Sequence, residues 1–392
     1  MPYQTMNRRC FLGAGAALIC CAACANALLP LGCSSEAWAE GVRGRIFRND
    51  APSELWQWSR KADFAKPMGD RRVLCTLCPN ACLLSPNDRS VCRNRVNKEG
   101  TLFTLAYGNP CAVHIDPIEK KPLFHFLPTS TALSIATTGC NLRCLNCQNW
   151  QISQSEPGEV RHESLFPQDA VRRAAVRAQS IAYTYTEPIS FFEYMSETAR
   201  LAMDQGLSNL LISNGYINQG PLKQLCRRIQ AANINLKSFS DDIYRSLNGG
   251  RLDPVLETLK TLHEQGVHLE ITNLVVPGYT DNEEMFRRMC GWILEHLGPD
   301  RPLHLLRFFP RYKLNRVRPT PVPLLQSFRK LAMQEGMHYV YIGNAPVEEG
   351  QNTYCHHCGA LAVKRRGYSI QVVGLDGSVC RDCGRTVPGV WS

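Results

Sequence analysis

The 392-residue sequence contains no exact internal repeat and no low-complexity segment. With 44% hydrophobic residues, it is long enough for one large domain with appendages, rather than for a string of small modules. It also lacks a basic patch interleaved with aromatic residues, although its formal net charge is +10. The basic residues are spread over amphipathic helices, so we expect a solvated positive surface and no nucleic-acid partner.

Isolated cysteines are few, since only Cys111, Cys226 and Cys290 stand apart in the body of the chain. The sequence has 19 cysteines in all, and short, grouped spacings indicate metal ligation better than they indicate a disulfide framework. Three groups have such spacings: Cys75, Cys78, Cys82 and Cys92; Cys140, Cys144 and Cys147; and Cys355, Cys358, Cys380 and Cys383.

A fourth cysteine is missing beside the second group, which reads C-x3-C-x2-C from Cys140 through Cys144 to Cys147. A four-iron cluster is normally held by four thiolates, so a triplet suggests an iron left open for a substrate. We therefore expect these three residues to be metal ligands at a catalytic centre. The alternative is a zinc or disulfide triplet that uses a distant ligand.

Charged residues are also scarce in the first 39 residues, where only Arg8, Arg9 and Glu36 occur. The paired arginines precede an uncharged, Ala-rich stretch and an A-x-A cleavage site at residues 37–39, as in a twin-arginine export signal. We expect an exported, extracytoplasmic protein without a transmembrane span in the mature chain. The alternatives are an uncleaved membrane anchor, a lipidated Cys33 or a cytoplasmic protein.

From Ala132 onward, short β-rich runs alternate with amphipathic helices, such as 167–179 and 253–265. This alternation predicts parallel βαβ units and an α/β fold, a full or partial TIM-like barrel of six or seven strands. The candidate strands are 132–138, 180–185, 208–213, 233–238, 267–275, 302–309 and 337–342. The expected organisation is signal 1–39, linker 40–70, Cys-rich segment 71–130, barrel 131–345 and zinc-ribbon-like segment 346–392.

Polar residues lie near or just beyond the carboxyl ends of the predicted strands, where barrel enzymes place their chemistry. The alternative for each is a helix cap or a turn former. Besides the triplet after the first strand, the candidates are Thr186, Glu187, Asn214, Lys237, Thr272, Asn273 and Arg307.

The last cysteine group has two C-x2-C pairs, each followed by glycine, as a zinc knuckle favours. Four thiolates predict a closed, structural zinc site on Cys355, Cys358, Cys380 and Cys383, with a rubredoxin-like iron or an auxiliary cluster as alternatives. His356 and His357 are expected to be exposed turn residues. For Cys75, Cys78, Cys82 and Cys92, zinc and a second iron–sulfur cluster fit equally well, and disulfides are a third alternative.

Together these motifs resemble the radical S-adenosylmethionine (SAM) component of the AmmeMemoRadiSam system, a relative of the pyruvate formate-lyase activating enzymes. The fold implied is a radical SAM barrel with Cys-rich N-terminal and zinc-ribbon-like C-terminal appendages. The segments that carry the resemblance are 75–82, 116–126 (DPIEKKPLFHF), 140–150, 183–188, 276–281 and the final C-x2-C pairs with 388–391.

The resemblance implies a 4Fe-4S cluster on the triplet, SAM beside it, an external electron donor, and Memo-like and AMMECR-like partner proteins. The expected activity is that of a radical SAM oxidoreductase, in which a 5′-deoxyadenosyl radical abstracts hydrogen from a protein or small molecule. The alternative is a non-catalytic zinc-ribbon scaffold.

Individual residues of the barrel are expected to contact SAM. Glu187 would accept from the SAM ammonium with the help of Thr186, and Asn214 and Lys237 would reach ribose or carboxylate oxygens. Asn146 stands where relatives usually carry an aromatic residue against the adenine, and Trp150 is the alternative for that contact.

Overall fold

The computed structural model describes Phe47 and residues 51–392, so the predicted export signal lies outside the described part. Ahead of the main sheet, two small antiparallel sheets form in the orders β1-β6-β5 and β2-β3-β4. Their strands are β1 (Arg60–Lys61), β2 (Ala65–Met68), β3 (Arg72–Cys75), β4 (Leu83–Leu84), β5 (Arg95–Lys98) and β6 (Thr101–Thr104). A 3-10 turn, Ser53–Trp58, precedes them, so the segment predicted as a linker, 40–70, contributes secondary structure from residue 53.

The main sheet has eight strands in sequential order from β7 to β14. They are β7 (Ala112–Pro117), β8 (Thr131–Ala136), β9 (Ser180–Tyr183), β10 (Ser208–Ser213), β11 (Ala231–Asn235), β12 (His268–Val275), β13 (Leu303–Arg307) and β14 (Val340–Gly343). Strands β8 to β14 are parallel, and β7 is antiparallel to β8. Within the described residues β7 and β14 do not pair, so the predicted barrel takes its partial, open form.

All seven predicted strands are present, and β11 shows why some boundaries moved. The strand begins at Ala231, ahead of the predicted start at 233, because Ala231 and Ala232 pair with Leu210 and Leu211 of β10. Alanine is a weak strand former, so the local pattern did not mark these positions. Pairing with a neighbouring strand decided the boundary.

In the described part of the chain, the six helices of eight or more residues carry buried apolar faces. The α-helices are Trp150–Ser153, Pro167–Arg177, Phe192–Asp204, Gln219–Cys226, Asp241–Ile243, Asp253–Glu264, Glu283–Leu297 and Val322–Gln334. The short helical elements are the 3-10 helices Ile118–Lys120, Pro188–Phe191 and Tyr312–Leu314 and the π-helix Tyr244–Asn248. Among the described residues, no helix combines the length and the apolar character needed to cross a bilayer.

Two helices illustrate how the sequence sets these elements. Asn282 caps the helix Glu283–Leu297 by accepting from the backbone N–H of Met285 at 2.8 Å. The helix predicted at 253–265 spans Asp253–Glu264, with Pro254 in its first turn. The Asp253-Pro254 pattern predicts Asp253 as the N-cap, but Asp253 lies inside the first turn and Leu252 takes the cap position.

The C-terminal residues form a separate small cluster of strands. These are β15 (Thr353–Tyr354), β16 (Leu361–Arg366), β17 (Ser369–Val372), β18 (Leu375–Asp376) and β19 (Val379–Cys380). They pair antiparallel, in a three-stranded and a two-stranded sheet. This arrangement matches the predicted ribbon-like appendage.

Residues 118–127, which overlap the DPIEKKPLFHF motif, lie between the main sheet and the C-terminal ribbon. The Glu270 carboxylate of β12 accepts from the backbone N–H groups of Phe124 at 3.0 Å and His125 at 2.7 Å. On the other side, Arg365 donates to the Phe124 carbonyl at 2.7 Å, and Phe126 bridges to Val390. Phe126 also packs with residues at the amino ends of the strands, so this segment closes the end of the sheet opposite the cysteine triplet.

Candidate radical SAM site

The triplet lies in the loop that follows β8, at the edge where the parallel strands end. Neighbouring elements hold this loop through its backbone. Arg143 N donates to Asn248 O at 2.9 Å and Leu145 N to Leu247 O at 2.8 Å, while Leu145 O accepts from Lys313 N at 3.0 Å. The loop is therefore fixed by the turn that follows β11 and by the one that follows β13.

Gly139 sets the approach to the first cysteine. Its φ of +91° lies in the region that favours glycine. A Cβ atom at this position would collide with the Cys92 carbonyl oxygen and lie 2.8 Å from the Asn94 amide oxygen. Glycine is therefore required here both for its backbone angle and for the close contact with residues of the N-terminal segment.

Each thiol of the triplet has a polar side chain beside its sulfur, and the three come from different parts of the fold. The Asn214 amide contacts Cys140 Sγ at 3.8 Å, the Asn248 amide donates to Cys144 Sγ at 3.3 Å, and Ser153 Oγ lies 3.1 Å from Cys147 Sγ. Hydrogen bonds to sulfur help to set the reduction potential of an iron–sulfur cluster. No sequence pattern marks Asn248 or Ser153, because their contacts with the thiols depend on the folded arrangement.

Burial raises the pKa of Cys140 well above its ordinary value, and the nearby Glu187 carboxylate and the other two thiols add to the shift. Burial also raises the pKa of Cys147, with Cys144 as the next contribution. Thiols in such a place coordinate as thiolates when a cation is bound beside them. The donor set therefore suits a positively charged metal core.

The spacing of the triplet distinguishes a cluster from a single ion. Among the described residues, the groups whose ligand atoms lie within 4.8 Å of one another are the C-terminal cysteines and Asp300 with His338 and His356. The triplet is not among them, so at least one pair of its sulfurs lies more than 4.8 Å apart, wider than two ligands of one zinc ion. Thiolates that bind different irons of one cluster also lie farther apart than ligands of one ion, so the three cysteines are compatible with the predicted cluster.

Glu187 is engaged inside the protein. Its side chain is buried and accepts from Ile189 N at 3.1 Å, Ser213 Oγ at 2.7 Å and Asn214 N at 2.9 Å. Burial raises its pKa, although these donors and Lys237 oppose the shift. Glu187 thus ties the loop after β9 to the loop after β10, and its predicted contact with the SAM ammonium stays a prediction.

The other residues expected near SAM lie around the same edge. Thr186 Oγ1 donates to the Thr137 carbonyl at 2.8 Å, next to the triplet loop. Lys237 lies beyond the end of β11, close enough to Cys147 that its positive charge opposes the rise in the pKa of that thiol. Asn146 is half-buried within the triplet loop itself. Their roles toward the cofactor remain predictions.

Thr272 and Asn273 are separated because adjacent residues of a strand point to opposite faces. Thr272 donates to Asn233 Oδ1 at 2.7 Å, on the side that faces residues 118–127. Asn273 donates to the Leu236 carbonyl at 2.8 Å, just ahead of Lys237. Arg307 ends β13 and donates to the Thr320 carbonyl at 2.8 Å.

An aromatic pair lies beside the triplet loop. Trp150 is 39% exposed and stacks on Tyr312, with ring centroids 5.2 Å apart and planes 15° from parallel. Lys313, which follows Tyr312, donates through its backbone to Leu145 in the same loop. The sequence marked Trp150 as the alternative aromatic contact for adenine, but it held no signal for Tyr312.

A buried polar group connects the DPIEKKPLFHF motif to the site. Lys121 Nζ lies 2.6 Å from Asp116 Oδ2, which also accepts from the Tyr185 hydroxyl. The Tyr185 carbonyl in turn accepts from Asn149 Nδ2 at 2.7 Å, two residues past Cys147. Burial lowers the pKa of Lys121 to about 8, although Asp116 opposes that shift.

The C-terminal cysteines have the spacing of a single tetrahedral ion. Cys355 Sγ lies 3.7 Å from Cys383 Sγ, and Cys358 Sγ lies 3.7 Å from Cys380 Sγ. Zn–S bonds of about 2.3 Å in a tetrahedron give nearly this separation. This geometry supports the predicted four-thiolate site, which could bind zinc. Of the two histidines expected to be exposed, His357 is exposed, whereas His356 is partly buried and hydrogen-bonded to the Tyr339 hydroxyl.

Comparison with known families gives the site a context. Residues 134–290 match the model of the radical SAM superfamily. This match includes the triplet, Glu187, Asn214 and Lys237.

Several proteins are similar to the chain beyond that domain. The uncharacterized protein MJ0808 of Methanocaldococcus jannaschii is 43% identical over 332 residues, which cover 84% of this chain and 98% of that protein. The pyruvate formate-lyase 1-activating enzyme of Escherichia coli strain K12 is 25% identical over 214 residues, 50% of this chain and 87% of the enzyme. The structure of Streptococcus suis SuiB bound to precursor peptide SuiA aligns with a TM-score of 0.44 at 14% identity, over 58% of this chain and 51% of that one.

Proposed function

Since this chain belongs to the radical SAM superfamily and to the same family as MJ0808, we propose that it cleaves SAM reductively and uses the resulting 5′-deoxyadenosyl radical to abstract hydrogen from a substrate. The observation that carries the proposal is the triplet itself. Three thiols, each with one polar side chain at its sulfur, lie at the carboxyl edge of an open parallel sheet.

Cys140, Cys144 and Cys147 would hold the cluster, which supplies a single electron and an iron open to SAM when it is bound. The protein orients and shields this centre. Asn214 links Cys140 to Glu187 by contacting the Cys140 sulfur and donating its own N–H to the carboxylate. The Trp150–Tyr312 pair offers an exposed aromatic face next to the loop, where a nucleotide base can stack.

Anaerobic reconstitution with iron and sulfide tests the proposal. We expect reductant-dependent formation of 5′-deoxyadenosine by the wild type and its loss in Cys144→Ala. Cys226→Ala is the matched control, because Cys226 lies at the end of the helix Gln219–Cys226, away from the triplet, and should leave the activity unchanged. A protein that binds zinc alone and forms no 5′-deoxyadenosine would instead be the non-catalytic scaffold.

The finer assignments are part of the same proposal. We infer that an external one-electron donor reduces the cluster and that Memo-like and AMMECR-like proteins are partners. Both inferences rest on the DPIEKKPLFHF and cysteine motifs. The leader motif supports export by the twin-arginine route. Co-purification with the products of neighbouring genes and fractionation of cells test these two points.

The substrate class has two branches. Similarity to the activating enzyme of pyruvate formate-lyase supports a protein substrate, and a small metabolite is the alternative. Incubation of the reconstituted enzyme with candidate partner proteins in deuterated form distinguishes the two. Deuterium transferred into 5′-deoxyadenosine identifies the hydrogen donor.

A further inference from the structure

The N-terminal cysteines form a buried group that the activity proposed above does not use. Cys75, Cys78, Cys82 and Cys92 are each less than 10% exposed, and all four are free thiols. Cys75 ends β3, and its backbone N–H donates to the Cys82 carbonyl at 2.9 Å, which closes the segment between them into a loop. Cys92 enters from a separate turn, in which Arg93 N donates to Ser90 O at 2.8 Å.

The spacing of these four thiols differs from that of the C-terminal group. The C-terminal sulfurs lie in pairs 3.7 Å apart, as ligands of one tetrahedral ion do. No three of the N-terminal sulfurs fall mutually within 4.8 Å, although all belong to the described part of the chain. Four thiolates on four different irons lie farther apart than four on one ion, so the arrangement does not match a single zinc ion and is compatible with a cluster.

The surroundings of the group suit a negatively charged redox centre. The buried Arg95 guanidinium donates to Cys75 Sγ at 3.6 Å, and Ser90 Oγ lies 3.0 Å from Cys92 Sγ. Arg95 is held in place by the Asp63 carbonyl at 2.9 Å and by an ion pair with Glu193. Cationic and hydroxyl donors at the sulfurs stabilise the extra negative charge of a reduced cluster.

Direct contacts join this group to the catalytic triplet. The Cys92 carbonyl packs against Gly139, the residue before Cys140. Asn94 donates to the Thr138 carbonyl at 2.7 Å, and Asn80 donates to the Asn141 carbonyl at 2.7 Å. The N-terminal cysteine loops therefore contact the chain on both sides of Cys140.

We propose that Cys75, Cys78, Cys82 and Cys92 hold a second four-iron cluster, fully ligated by protein, that passes single electrons to the triplet cluster. The proposal rests on the radical SAM function for the electron's destination. A low-potential one-electron carrier protein gives one electron to the second cluster and is itself oxidised by one electron. That electron then moves to the triplet cluster, and the second cluster returns to its oxidised state without transfer of atoms.

Metal analysis and electron paramagnetic resonance test the assignment without relying on turnover. After anaerobic reconstitution, we expect about eight irons per wild-type chain and about four in a Cys140→Ala, Cys144→Ala, Cys147→Ala triple variant. The reduced triple variant should show the spectrum of one four-iron cluster, and adding SAM should leave that spectrum unchanged. A triple variant that contains no iron, or that contains two zinc ions per chain, one of them beyond the C-terminal site, overturns the assignment.

A complementary variant tests the relay. Cys78→Ser should lower the iron content to about four per chain and should slow reduction of the triplet cluster by a carrier protein at least tenfold, while its spectrum still responds to SAM. Reduction at the wild-type rate refutes the relay. If Cys78→Ser fails to fold, the triple variant still decides the metal assignment.

Failure of the second cluster and failure of the proposed function give different results. Iron in the triple variant together with no 5′-deoxyadenosine from the wild type leaves the second cluster in place and removes the catalytic proposal. Normal formation of 5′-deoxyadenosine with only four irons per wild-type chain supports the catalytic proposal and removes the second cluster.

Discussion

Single side chains adjust the three thiols of the triplet. One polar side chain contacts each sulfur. Asn214 comes from the loop after β10, Asn248 from the π-helix after β11, and Ser153 from the short helix after the triplet. Glu187 stands behind them and accepts three hydrogen bonds from groups of the protein. Replacing these side chains should change the reactivity of the centre more than its assembly.

Asn248→Ala removes the donor to Cys144 Sγ. Loss of a hydrogen-bonding partner of a metal ligand typically costs about 10–100-fold in activity or affinity. We expect about a tenfold fall in 5′-deoxyadenosine formation, a more negative reduction potential of the triplet cluster and an unchanged iron content. Ser246→Ala, an exposed position in the same turn, is the control, and equal losses in both variants would contradict the role of Asn248.

The loop that carries the triplet has a fixed conformation because neighbouring segments of the chain hold it. The triplet loop is held by backbone hydrogen bonds to the turns after β11 and β13, and its start is packed against the N-terminal cysteine segment. Gly139 is the point at which this packing leaves no room for a side chain.

Gly139→Ala and Gly206→Ala separate close packing from backbone strain. Both glycines have positive φ, +91° and +70°, but a Cβ on Gly206 would meet no atom within 4 Å. A left-handed backbone costs a non-glycine residue about 1–2 kcal/mol, which both variants should lose in their free energy of unfolding. In urea titrations, Gly139→Ala should lose more free energy of unfolding than Gly206→Ala. Gly139→Ala should also bind less iron, whereas Gly206→Ala should keep its iron. Retention of iron by both variants would refute the packing argument.

At the scale of the whole molecule, appendages cover both ends of the open sheet. The N-terminal cysteine segment contacts the edge that carries the triplet, and residues 118–127 with the C-terminal ribbon cover the opposite end. Glu270 joins residues 118–127 to the main sheet, since it accepts from Phe124 N and His125 N and lies 2.6 Å from His304 Nε2 of β13. Hydrogen bonds from His268 and His304 outweigh the effect of burial and hold the pKa of Glu270 well below its ordinary value of 4.5.

This depressed pKa predicts a pH-dependent contribution to stability. The unfolded chain takes up the proton on Glu270 near pH 4.5, before the folded protein does, so the stabilisation is present above that pH and is lost as the pH falls further. At neutral pH, Glu270→Gln should be less stable than the wild type by about 1–3 kcal/mol. The difference in melting temperature should shrink below pH 4.5; a constant difference, or an equal effect of the exposed Glu264→Gln, would contradict the assignment.

Local patterns were sufficient for the elements and for the ligands that are close in sequence. The apolar spacing at Val255, Leu256, Leu259 and Leu262 predicts a buried helix face; Leu256 is partly buried and the other three are buried. The C-x2-C pairs likewise predict a tetrahedral group, and their sulfurs lie at single-ion distances. By contrast, Asn248 is 104 residues from Cys144, so no local pattern could relate them.

The order of residues by itself determined the strand and helix alternation, the superfamily and the three cysteine groups, because periodicity and short ligand spacings act within a few turns of chain. Tertiary structure alone decided that the sheet stays open, that Glu187 is occupied by three protein donors and that the Cys92 carbonyl lies against Gly139. It also decided the different sulfur spacings of the cysteine groups. These features depend on strand pairing and side-chain packing between distant segments, which exist only once the chain has folded.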